Sequence, residues 1–159
     1  MRITIVAVGR LKAGPERVLF ERYVVRAGNV GRRLGLTFTT RELPESRAAN
    51  APTRVAQEAS AVLAAIPPTA AVVTLDENGE NIASDRFARR IAQWRDEGST
   101  DVVFAIGGPD GLGAPLIERA DLRLAFGAMT WPHQLVRSML AEQLYRAVTI
   151  LSGHPYHRG

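Results

Sequence analysis

With 159 residues, 46% hydrophobic and 23% charged, the chain is expected to fold as one domain over 1–159, burying roughly 70% of its unfolded surface. It has no cysteine, which excludes disulfides, thiolate metal sites and cysteine nucleophiles and fits a reducing, cytoplasmic setting. No apolar run reaches the roughly 18 residues of a membrane-spanning helix. The net charge of +4 is uneven: positions 1–60 hold 11 Lys+Arg against 5 Asp+Glu, and the remainder 9 against 11. Every cation except Lys12 is arginine, whose forked guanidinium suits phosphate and base-edge recognition. A bias toward arginine codons accounts for that ratio equally well, but less readily for the clustering, which points to a polyanionic partner.

Ile3 to Val8 is a continuous apolar run closed by Gly9, the pattern of a buried parallel strand and not of a signal peptide. Pro15 opens a helix with Val18, Leu19, Phe20 and Val25 on its apolar side and Gly28 and Gly31 at its end. Leu36 to Leu43 alternates as a second strand. Pro52 to Ile66 is a helix halted by Pro67-Pro68. Ala70 to Leu75 is a third strand, followed by a turn at Asp76 to Gly79. Ser84 is expected to cap a helix running to about Glu97. Val102 to Ile106 is a fourth strand, Pro115 to Ala120 a short helix, Leu122 to Phe126 a fifth strand, and Pro132 to Leu151 a long helix with proline at its first position. The alternation predicts an α/β fold with a mainly parallel sheet.

Ligands of open α/β sheets bind beyond the carboxyl ends of the strands. Three strand ends carry unusual residues: Val73 to Asp76, Ile106 to Gly111, and Phe126 to His133. Gly107 and Gly108 allow close backbone approach to a ligand, although such a turn also serves as a plain tight connection. Neither GxGxxG at dinucleotide-binding spacing nor a Walker A lysine is present, which argues against dinucleotide binding and triphosphate hydrolysis. The three scattered histidines lack a supporting carboxylate cluster, so no metal is expected.

The ordered segments IVAVG, VTLD, IGGPDGL, MTWPHQLVR, AEQLYRA and terminal HPYHRG resemble the ribosomal RNA large subunit methyltransferase H family of SPOUT enzymes, along essentially the whole chain. The resemblance implies a parallel sheet covered by helices on both faces, with a C-terminal deep trefoil knot, an exception to the usual avoidance of knots. It further implies a homodimer, S-adenosyl-L-methionine as methyl donor, and methylation at N3 of a pseudouridine in 23S ribosomal RNA. Carried over by motif, Leu75, Gly107 and Gly108 face the cofactor, and Phe126, Gly127, Ala128, Met129, Thr130 and Trp131 form the loop enclosing it. Arg137 and Tyr145 are the expected substrate-binding pair, eight residues apart and so on roughly one side of their helix.

For the tail, the resemblance places Tyr156, His157 and Arg158 near the methylated base, either within one chain or across the dimer. His157 or His154 would accept the departing proton, since histidine titrates near neutral pH. Arg158 would steady negative charge on the base, and Tyr156 would stack on it or on its neighbour. His133 reads as structural at its helix start. Around the neutral insert Ala48 to Thr53, RNA contact would rest on Arg47 and Arg54. Two other readings stay open: a SPOUT methyltransferase acting on transfer RNA, and a non-enzymatic RNA-binding protein using the basic N-terminal half alone.

Overall fold

The computed structural model describes residues 1–156 and contains one five-stranded, wholly parallel sheet. In chain order the elements are β1 (Arg2–Val8), α1 (Pro15–Gly31), a 3-10 turn (Arg32–Leu34), β2 (Thr37–Leu43) and α2 (Ala51–Ala64). They continue with β3 (Ala71–Glu80), α3 (Ser84–Asp96), β4 (Asp101–Ile106), α4 (Ala114–Arg119), β5 (Leu122–Leu124) and α5 (His133–Ser152). The spatial order β2-β1-β4-β3-β5 makes β4 the middle strand, and all six of its residues are buried. The side chains of β1 alternate between two apolar layers, as the two-residue period of a strand requires. Ile3, Ile5 and Ala7 join the core beneath α1, α3 and α5, while Val6 and Val8 pack toward α2 and α4. No helix among the described residues is long and apolar enough to cross a membrane.

Several boundaries differ from the sequence expectation for local reasons. Ala83, not Ser84, is the N-cap of α3; the Ser84 hydroxyl instead donates to Gln143 Oε1 on α5 at 2.7 Å. Helix α2 begins one residue earlier than expected because Asn50 Oδ1 accepts from the Thr53 amide at 2.9 Å. The segment Asp76 to Gly79 is no simple turn. Strand β3 runs on to Glu80, and both Leu75 and Glu80 register with Leu124, so the four intervening residues bulge from the ladder. On α1 the expected apolar side is largely wrong: Val18 and Val25 are 57% and 61% exposed. Of the expected residues Phe20 does pack on the core, where Tyr23, Val24, Ala27 and Val30 join it in a 3.6-residue repeat facing α5.

The segment after β5 leaves the outer strand beside β3, crosses the carboxyl ends of β3 and β4, and delivers α5 against α1 and α3. Arg137, 2% exposed, fixes that crossing. Its guanidinium donates to the carbonyls of Val8 and Gly9 and pairs with Glu42 at 3.1 Å. Burial lowers the guanidinium pKa, and the nearby carboxylates of Glu42 and Glu45 oppose that shift. Arg137→Ala should destabilise the fold by about 3 kcal/mol, since it strands buried carbonyls and leaves a large void. A urea titration with an unchanged midpoint would contradict this.

Candidate functional site

The parallel sheet places all its outgoing loops at one end. There, three loops enclose a cavity of about 800 Å³, within the range of small-molecule sites. Leu75 to Asn78 contribute from β3, Ile106 to Leu112 from β4, and Leu124 to His133, without Ala128, from β5. Buried Ile106 and Leu124 with half-buried Leu75 and Phe126 supply apolar surface.

The loop after β5 is pinned by polar contacts over roughly 50 positions of sequence. The Gly127 amide donates to Asn81 Oδ1 at 2.7 Å, and the Thr130 hydroxyl to Glu77 Oε2 at 2.9 Å. Trp131 Nε1 closes the loop on the Phe126 carbonyl at 3.0 Å. Beneath it, Arg123 grips Asp76 through Nε and Nη2, at 3.0 and 2.7 Å. In the second loop, Gly107 is in close backbone contact: a Cβ there would lie 2.6 Å from the Gly111 carbonyl oxygen. Any larger residue must therefore displace the turn itself.

A family model described as "Predicted SPOUT methyltransferase" matches residues 1–157. Three relatives named "Ribosomal RNA large subunit methyltransferase H" align over essentially the whole chain. That from Nitrobacter hamburgensis is 56% identical and covers 100% of both chains. Those from Rhodopseudomonas palustris and a Bradyrhizobium species are 55% and 57% identical, each covering 99% of both chains. The chain belongs to this family. Among solved structures, the SpoU methyltransferase AviRb from Streptomyces viridochromogenes, crystallised with AdoMet, is a loose likeness at 15% identity and TM-score 0.42. It covers 94% of this chain and 57% of that one.

Of the family-motif residues expected to meet a cofactor, Leu75, Gly107, Gly108, Phe126, Gly127, Met129, Thr130 and Trp131 line the cavity; Ala128 does not. Met129 and Trp131 are 73% and 42% exposed at its rim. Sequence reasoning missed Glu77 and Asn81, whose partners lie far along the chain.

The expected substrate residues lie elsewhere. Arg137 is buried in its contacts with β1 and Glu42 and does not line the cavity. Tyr145, 7% exposed, packs its ring between Tyr23 at 5.9 Å and Tyr156 at 4.5 Å. The start of the tail folds back along α5: the His154 amide donates to the Thr149 carbonyl at 2.9 Å, and the Tyr156 hydroxyl to Glu142 Oε1 at 3.1 Å. Burial, reinforced by Tyr23 and Glu142, raises the Tyr156 pKa and keeps the phenol neutral. At about 1.5 Å of rise per residue, Glu142 stands about 14 Å along the helix from His133 at the cavity wall. His154 and Tyr156 are therefore remote from the cavity of their own chain; His157 and Arg158 lie outside the described residues. Arg54, one of the two arginines on which any RNA contact around 48–53 would rest, is paired with Asp110.

His133, read from sequence as structural, lines the cavity. Burial lowers its pKa below the ordinary 6.5, with Arg137 adding to the effect and Glu45 opposing it. The fold thus favours the neutral ring. Its stabilising contribution is complete above the unfolded-state value and is lost as pH falls through the folded one. His133→Gln should lose less stability than wild type over the acidic interval below about pH 6.5. Parallel urea midpoints across that interval would refute the assignment.

Proposed function

We propose that this chain methylates N3 of a pseudouridine in 23S ribosomal RNA of the large subunit, using S-adenosylmethionine. In this reading it is a single-domain cytoplasmic homodimer whose crossing after β5 is part of a deep trefoil knot. The observation carrying the proposal is the three-loop cavity at the carboxyl ends of β3, β4 and β5. Its size suits a nucleoside-like ligand, its apolar residues suit a purine face, and Gly107 leaves backbone where a side chain would intrude. The relatives' shared name favours ribosomal RNA over transfer RNA and over binding without chemistry.

When bound, the cofactor supplies an electrophilic sulfonium methyl. The protein's task is chiefly to position it: Leu75, Gly107 and the loop from Phe126 to Trp131 hold the donor, and Met129 and Trp131 screen the rim from water. As N3 gains its methyl group it must lose a proton. His133, neutral and at the cavity wall, is a candidate acceptor beside His154 and His157 of the tail. Tyr156 serves as a stacking or hydrogen-bonding group and not as a base. Arg158 balances charge on the base, while Arg137 and Tyr145 act by holding α5 and the tail in place.

The distance from Tyr156 to its own cavity favours a composite site, in which the tail of one copy meets the cavity of another. Val18 and Val25 on α1 and Leu135 on α5 are exposed apolar residues suited to an interface between copies.

Mass spectrometry of ribosomal RNA from a deletion strain should show loss of one methyl group from a large-subunit pseudouridine, restored by wild type and not by Gly107→Arg. Intact ribosomal RNA with altered transfer RNA would favour the alternative substrate. For the composite site, Gly107→Arg and a chain lacking 154–159 should each be inactive alone. Mixed and allowed to exchange subunits, they should recover about a quarter of wild-type activity, because half the dimers then hold one complete site. No recovery, with exchange verified, would place the tail's action within its own chain.

A further inference from the structure

The geometry points to Arg54 and Glu58 of α2 as positioning residues that brace the 107–111 turn from behind the sheet, an inference that rests on the donor-binding reading above. Arg54 donates from Nε to Asp110 Oδ2 at 2.6 Å and from Nη2 to Asp110 Oδ1 at 3.2 Å. Its remaining terminal nitrogen, Nη1, reaches the carbonyls of Ala48 and Ala49 at 3.1 and 3.3 Å. One guanidinium therefore ties the loop after β2 to the turn after β4, and the same contact holds the Asp110 carboxyl below its ordinary pKa.

Glu58 lies one helical turn further along and is 5% exposed. Its Oε1 accepts from the Ser46 amide at 2.8 Å. Its Oε2 has no hydrogen-bond partner among the described residues and stands 2.7 Å from where a Gly108 Cβ would be, with Val8 Cγ1 closing the same space at 3.1 Å. At the outgoing end of the turn, a Cβ on Gly113 would meet Ala59 Cβ at 2.6 Å. Residues 54, 58 and 59 form one side of α2, and that side is moulded to segment 108–113.

The Arg54–Asp110 pair is partly exposed, 29% on each side, so it adds little to global stability. What it fixes is the position of a turn whose backbone must approach a ligand. Lysine is a poor replacement, because a single ammonium cannot fork onto a carboxylate and hold two carbonyls at once.

Calorimetry with S-adenosylmethionine and hydrogen exchange on the donor-free full chain test the brace. Arg54→Gln and Asp110→Asn should each raise the donor Kd by about tenfold through lost preorganisation, with thermal midpoints near wild type. Their combination should bind no more weakly than either single variant, and Arg54→Lys should recover little. Amides 107–112 should exchange faster in both single variants while those of β1 and β4 keep their protection. Wild-type affinity in both variants, or weakening only in step with global unfolding, would overturn the brace. If wild type binds no donor, the methyl-transfer reading falls and exchange alone decides: unchanged protection of 107–112 would defeat the brace as well.

Discussion

The guanidinium of Arg137 lies between α5 and the carboxyl end of β1, held by the carbonyls of Val8 and Gly9 and by Glu42. A cation removed from water needs such partners, and these come from residues about 95 to 129 positions earlier in the chain. The contact fixes where the last helix begins. With the start of α5 fixed and β5 paired to β3, the residues between have one course, over the ends of β3 and β4. The cavity lies along that course.

The enclosing loops are held less by apolar packing than by polar contacts at their edges: Asn81 and Glu77 on the third loop, Arg123 with Asp76 beneath it, and Arg54 on the second. Strand interiors supply rigidity, while the loops line the cavity at the sheet's rim. The prolonged β3 links these parts. By bulging at Asp76 to Gly79 and rejoining Leu124, it presents Glu77 and Asn81 to the loop that Trp131 closes on Phe126.

Much of this was legible from residues alone. Runs rich in β-branched residues marked β1, β3 and β4, and two glycines after β4 marked a turn that lines the cavity. What sequence could not supply was partnership at long separation. Val18, Leu19 and Val25 read as core-facing by composition, but the face of α1 toward α5 is set by Tyr23, Val24 and Ala27. Arg137 looked like a substrate contact because an arginine near a site normally reaches water, and only the folded chain brings strand-end carbonyls to it. Similarly, Asp76 to Gly79 had the composition of a turn, and its return to β5 depends on a neighbour supplied by tertiary structure.

The cavity wall from Phe126 to Trp131 is anchored upstream by Asn81 and Glu77 and downstream by α5 docking beneath Val8. A chain without α5 still contains all five strands and the residues of that wall, but not its downstream anchor. The cavity therefore takes its shape only when the chain on both sides of this segment, through Arg137, is in place. A break in the chain between β5 and Arg137 would leave that side of the cavity untethered.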